Sequence, residues 1–129
     1  MHVITDSVST FHASISSQVN MMAEDRSMEN ILIIAPPGVG MLYTVEETLK
    51  GRDYEVIRGV HLDDRSDAFA RLFLNRSILV IDEFAALSEG ARSAILMGTQ
   101  AGKMGMIILM NRMLPGDYSG IDHHIYLID

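Results

Sequence analysis

Two hydrophobic rhythms run through this chain. Val8, Phe11, Ile15, Val19 and Met22 recur at the spacing of one helical face. That spacing predicts an amphipathic helix over about 7–23, with Asp6 or Ser7 able to cap its start. The simplest role for it is packing on a sheet edge, and a polar face poor in Lys and Arg argues against a membrane-surface role. The rhythm then changes. Ile31, Leu32, Ile33 and Ile34 form an unbroken apolar run, as a strand buried on both faces does. Residues 30–35 are therefore predicted as a strand, followed by a loop with two prolines and two glycines. A helix over about 41–50 comes next, with Met41, Val45 and Leu49 on one stripe, and Gly51 can end it in the left-handed conformation.

The alternation continues. Residues 54–57 predict a second strand and 59–65 a polar connection with Asp63 and Asp64 side by side. Ser66 can cap a helix whose apolar stripe is Ala68, Phe69, Leu72 and Phe73. Residues 78–81 read as a third strand, ending at Asp82 and Glu83. Ser88 then caps a helix with Ala91, Ala94 and Ile95 inward, closed by Gly102. A fourth strand over 104–110 ends at Asn111 and Arg112, turn chemistry occupies 115–120, and 125–128 form a fifth strand. Strands that alternate with helices predict a parallel sheet covered on both faces. The expectation is a three-layer αβα sandwich with a five-stranded, mainly parallel sheet. Residues 1–129 form one domain, with 1–29 as an N-terminal helical extension.

Composition narrows the function classes. A hydrophobic content of 48% supplies a core, and a net charge of −7 argues against broad charge-driven nucleic-acid binding. A local basic face is the remaining route to nucleic acid. The chain has no Cys, which removes disulfides and thiolate metal sites and fits a reducing compartment. No apolar run reaches membrane-spanning length, and the N-terminus lacks the basic start and apolar core of a signal peptide. The expected location is cytoplasmic, with no membrane partner.

The chemistry concentrates at strand ends. Residues 31–42 read ILIIAPPGVGML: a strand, a glycine loop, then a helix. Such a junction gathers backbone N–H groups and a helix N-terminus at one point, an arrangement suited to phosphate. Residues 78–84 read ILVIDEF, and 106–112 read MIILMNR. In order and spacing these three segments resemble the P-loop ATPases of the AAA+ and RecA-like branch, over about residues 30–128. The first looks like a Walker A strand and loop, the second like a Walker B strand, and the third like the strand that ends in a polar sensor. The resemblance implies a P-loop NTPase-like fold with an AAA+ core. Its first strand would lie between the fourth and fifth, with the third and second beyond the fourth. It also implies a cleft where Pro37, Gly38, Val39, Gly40, Met41, Leu42 and Asn111 meet nucleotide. There Asp82 would help hold Mg²⁺ and Glu83 would polarise the attacking water.

The departures from the family pattern matter as much. Ala35 replaces the first glycine, Met41 stands where the phosphate-binding Lys belongs, and Leu42 where the Mg²⁺-binding Ser or Thr belongs. Each contact from a P-loop Lys to phosphate is worth about 1.5–3 kcal/mol. Phosphoryl transfer rests almost wholly on positioning and charge, so both losses should remove most of the rate. Thr44 lies two residues late and points away, and Lys50 and Lys103 could reach the loop only by an unusual fold-back. The chain also reaches no C-terminal helical lid of the AAA+ kind. The expectation is a degenerate ATPase domain that binds or regulates another protein, such as an active P-loop ATPase of DNA replication, packaging or remodelling, or a second copy of itself. No cofactor is expected, and Mg·ATP would bind weakly at best. The alternative is a weak or partner-completed ATPase that uses Asp82 and Glu83. A binder of another anion at Gly38–Gly40 ranks third.

Other features read more plainly. His123 and His124 on a strand point to opposite faces and do not readily share a metal. His2, His12 and His61 have no ligand spacing. The ten Met residues fill core gaps or, less simply, form an adaptable interface. Arg112 could resemble a trans-acting Arg of ring ATPases. Arg26, Arg52, Arg58, Arg65, Arg71, Arg76 and Arg92 read as solvated surface.

Overall fold

The computed structural model describes residues 2–5, 7–62, 67–74 and 77–128, without the side chain of Ala68. The proposed Asp6 and Ser66 caps, Asp63, Asp64, Arg65 and Arg76 lie outside the described residues. The elements run β1 (His2–Thr5), α1 (Val8–Asp25), β2 (Ile31–Ile34), α2 (Met41–Leu49), β3 (Tyr54–Arg58), α3 (Asp67–Arg71), β4 (Ile78–Asp82), α4 (Glu89–Ala101), β5 (Met106–Met110) and β6 (His123–Leu127). Short 3-10 turns at Gly59–His61 and Phe84–Ala86 complete them. Among the described residues, no helix is long and apolar enough to cross a membrane.

The sheet has six strands in the order β1-β6-β2-β5-β4-β3, and every pairing is parallel. The expected relative order of five strands holds within it, with β2 between β6 and β5. The expected count of five is corrected to six. Strand β1 takes its ladder bonds from β6, the last strand in the sequence. Four residues with Val3 beside Ile4 carry no alternation, so nothing local announces β1. Residues 1–29 accordingly hold a strand as well as a helix.

Ile31 and Ile33 face α1 and α2, while Leu32 and Ile34 face the layer holding α3 and α4. This two-sided burial explains the unbroken apolar run. On α1, Phe11, Ile15, Val19 and Met22 are buried as their spacing predicts, and Ser7 caps the helix by accepting from the Thr10 N–H. Ser88 caps α4 in the same way, accepting from the Ala91 N–H. The helix expected after residue 66 is shorter than its stripe implies. Helix α3 has five residues; Phe69 and Leu72 are buried, but Phe73 is 40% exposed. The run of residues 72–74 in turns carries Phe73 out of the stripe, against Gly98 of α4.

At the amino ends of the strands, a fully buried Asn30 ties three segments together. Its amide donates to the carbonyls of Gly102 and Gly120, and its carbonyl oxygen accepts from the N–H groups of Met104 and Met106. Asp122 accepts from the Asn30 N–H at 2.8 Å. With the amino ends locked in this way, the carboxyl ends of β2, β4 and β5 share the opposite edge of the sheet.

Candidate functional site

The loop after β2 turns through two left-handed glycines, Gly38 at φ +87° and Gly40 at φ +79°. Gly40 sits at the N-terminus of α2, with no side-chain cap. The loop is held from behind by α1. His12 Nε2–H donates to the Val39 carbonyl at 2.6 Å, and His12 Nδ1 lies 2.9 Å from the Thr44 hydroxyl. The single Thr44 hydroxyl proton is shared between His12 Nδ1 and the Gly40 carbonyl, which lies 3.0 Å from Oγ1. Thr44 is therefore buried and engaged in the α1–α2 contact, facing away from the cleft as its helical position predicts. Ala35 is buried, and its N–H bonds the Met110 carbonyl, which fixes the loop's origin to β5.

A cleft of about 300 Å³ opens beside this loop. It is lined by Met41, Asp82, Glu83, Ala85, Ala86, Leu109, Met110 and Asn111. Four sequence-predicted site residues thus meet there: Met41, Asp82, Glu83 and Asn111. Pro37, Gly38, Val39 and Gly40 form the neighbouring loop. Leu42 does not line the cleft; it is half-buried against the core beneath α1 and α2, and Met41 packs against that core as well. Lys50 lies at the far end of α2 and Lys103 precedes β5, so both stand at the opposite end of the sheet from the cleft. The fold-back that could have brought either to the loop does not occur.

The two acids are held differently. Asp82 Oδ1 accepts from the Glu83 N–H at 2.9 Å. Burial pushes its carboxyl above the ordinary carboxylate range, and the Glu83 and Glu46 charges add to the rise, against the Glu83 N–H and Arg58. Glu83 adopts a left-handed φ of 57°, an uncommon conformation for a residue with a side chain. Its Oε1 accepts from Arg58 Nε at 2.7 Å and lies 2.6 Å from Arg58 Nη2. Arg58 is therefore not free surface; it anchors the acid at the end of β4. Gly59 follows it, and a Cβ there would stand 2.2 Å from the Glu83 carbonyl oxygen. Only glycine permits the backbone after β3 to cross this close to the end of β4. Arg92, also read as surface, is half-buried and donates to the Leu87 carbonyl at 2.6 Å.

The sequence offered partial signals for these extra residues. His12 lies one position beyond Phe11 and three before Ile15, on the flank of the buried stripe, so contact with a neighbouring element was legible but its target was not. Arg58 and Gly59 carried no pattern, because their role depends on β3 lying beside β4. Among the described residues, no group of three or more His, Cys, Asp or Glu is placed to hold a metal. His123 pairs with Glu29 at 3.1 Å, while His124 bonds the Tyr126 hydroxyl on the other face. The two face apart as expected. Asp82 and Glu83 are the carboxylates in the cleft, and Asn111 supplies an amide at its rim.

No family model matches the sequence, and no curated protein does. A solved structure, the Thermotoga maritima RuvB Holliday junction branch migration motor, superposes with a TM-score of 0.55 at 17% sequence identity. The match covers 89% of this chain and 44% of that one, so this chain spans less than half its length. The likeness shows the fold alone: an α/β domain with a parallel sheet, P-loop NTPase-like in architecture.

Proposed function

We propose that this chain is a catalytically degenerate AAA+-like domain that acts as a binding or regulatory module for another protein. The observation that carries the reading is the placement of Met41. It lies at the start of α2, lines the cleft beside Asp82, and packs its apolar side chain against the core. A lysine there would offer phosphate a charge; a thioether offers none. Leu42 turns into the core and has no oxygen for Mg²⁺. The charged groups lining the cleft are Asp82 and Glu83, the latter already paired with Arg58, and neither offers phosphate a positive charge. Its volume is at the small end of ligand sites.

The partner class follows from fold analogy alone: an active P-loop ATPase of a DNA-replication, packaging or remodelling machine, or a second copy of this chain. Nucleic acid would be reached indirectly or through a local patch, and the expected setting is the cytoplasm. No cofactor is required in this reading. A second reading is a weak or partner-completed ATPase. It is favoured by the convergence of Asp82, Glu83 and Asn111 on one cleft beside a loop with two left-handed glycines.

Repair separates the two. Met41→Lys with Leu42→Thr restores the missing pair. In the module reading, the lysine meets an apolar wall and the threonine brings a hydroxyl to a core-facing position. Stability should fall by about 1–3 kcal/mol, with no gain in affinity. Thermal unfolding with and without millimolar Mg·ATP reads both effects. A double variant as stable as the parent, and further stabilised by Mg·ATP, would favour the ATPase reading instead. Calorimetry on the parent chain supplies the second check, because micromolar Mg·ATP binding would overturn the module reading outright.

A further inference from the structure

Strand β1 joins the sheet through β6, and in that parallel register His2 stands opposite His124. Their ring centroids are 4.3 Å apart and tilted by 31°. His2 is exposed, while His124 is 7% exposed, with Nδ1 2.9 Å from the Tyr126 hydroxyl. Beyond the ladder with β6, β1 is held mainly at Thr5, whose hydroxyl donates to the Tyr126 carbonyl at 3.2 Å and whose carbonyl accepts from the Ile128 N–H at 2.7 Å. Thr5 is its one buried residue, and Ile4 is 62% exposed. The imidazole pair thus occupies the seam on which the edge strand depends.

The groups facing His124 are few. From β1 there is His2; from its own strand, Tyr126; from the segment before β6, the carbonyls of Tyr118 and Ile121. On the β2 side its register partner is Leu32, which carries no charge. From α4, Arg92 acts on Tyr118. Burial holds the His124 imidazole below its ordinary value, and His2 pushes in the same direction. The Ile121 and Tyr118 carbonyls oppose this. Among the described residues, the charged neighbour that acts on His124 is His2.

We propose that β1 is an acid-released edge strand: protonation of His124 against His2 unpairs β1 from β6 and uncovers the β6 edge. In the open form His124 regains water and loses its cationic neighbour, so it accepts a proton more readily. A lowered folded-state value gives stability that is present above the ordinary imidazole value of about 6.5 and lost as pH falls below it. The effect stays local because β1 adds little to the core, and weakly buried edge elements open independently of the rest. The released edge would present unpaired backbone groups of β6, a surface suited to strand addition.

Hydrogen exchange by NMR tests this on the intact chain. The amides of β1, and that of Ile128, which donates to the Thr5 carbonyl, report the seam. After correction for intrinsic rates, their protection should fall up to about tenfold between pH 7.5 and 5.5, while amides of β2 and β5 hold. His124→Phe should abolish the fall, and His2→Phe, at an exposed position, should reduce it. Protection constant within about twofold across that range would overturn the proposal. So would a fall shared by the whole sheet, or a fall undiminished in His2→Phe, the variant that keeps the test open if His124→Phe does not fold.

Discussion

Asp82 shows how a single site residue reports on the cleft. Its carboxyl is held above the ordinary range chiefly by burial, so the folded state favours the protonated form. The stability this contributes is fully present below an ordinary carboxyl value of about 3.8 and is lost as pH rises through the folded value. Asp82→Asn keeps an acceptor for the Glu83 N–H and removes the charge. The variant should have a higher urea midpoint than the parent at pH 7, with the gap closing below pH 4; a lower midpoint at pH 7 would show that the charge is compensated. Gly59 makes a sharper prediction. A Cβ 2.2 Å from the Glu83 carbonyl must displace the end of β4, so Gly59→Ala should cost about 1–3 kcal/mol. Asn30 is the third case. Asn30→Ala leaves four backbone partners unsatisfied at the other end of the sheet, and about 3 kcal/mol should be lost by denaturant unfolding. Asp82 was legible because an acid after a four-residue apolar strand stands out in sequence. Asn30 and Gly59 were not, since their partners lie far along the chain.

At the level of elements, local pattern and observed structure agree wherever an element's own residues carry the signal. The α1 stripe, the Ser7 and Ser88 caps and the apolar runs of β2, β4 and β5 all have local causes. Strand β1 escaped because it exists only by pairing with β6, and the exposed Phe73 because α3 stops after five residues. The α1–α2 contact falls between these cases. Its apolar half was readable from spacing, but the clasp of His12 on Val39 and Thr44 required the two helices to be placed side by side. This clasp makes α1 a determinant of loop shape. His12→Ala removes two hydrogen bonds and should cost about 1–2 kcal/mol. The loss should be accompanied by faster exchange of the Thr44 amide, which donates to the Gly40 carbonyl at the start of α2. An unchanged Thr44 rate would mean that the two glycines hold the loop unaided.

For the molecule as a whole, the question is whether residues 1–29 are an extension or part of the fold. The sandwich has one core on each face of the sheet, and α1 supplies half of the helical cover on one of them. Phe11, Ile15 and Val19 have no exposed surface and Met22 has 2%. Burying each such side chain contributes about 1.5–3 kcal/mol, roughly 6–12 kcal/mol for the four. A domain of this size has a net stability of about 5–15 kcal/mol, so the contribution of α1 is comparable with the whole margin. Removing it would also uncover Ile125 of β6 and leave Ile31 and Ile33 with α2 as their remaining helical cover, and the Val39 carbonyl would lose its imidazole donor. A chain shortened to residues 30–129 would keep every strand-end motif of the P-loop resemblance and still lack a closed core. It should show no cooperative thermal transition and should bind a hydrophobic dye, while the parent melts in one step. A cooperative melt of the shortened chain within about 5 °C of the parent would place α1 outside the folding unit. The predicted collapse puts it inside, so the glycine loop inherits its shape from a helix that its own sequence motif does not include.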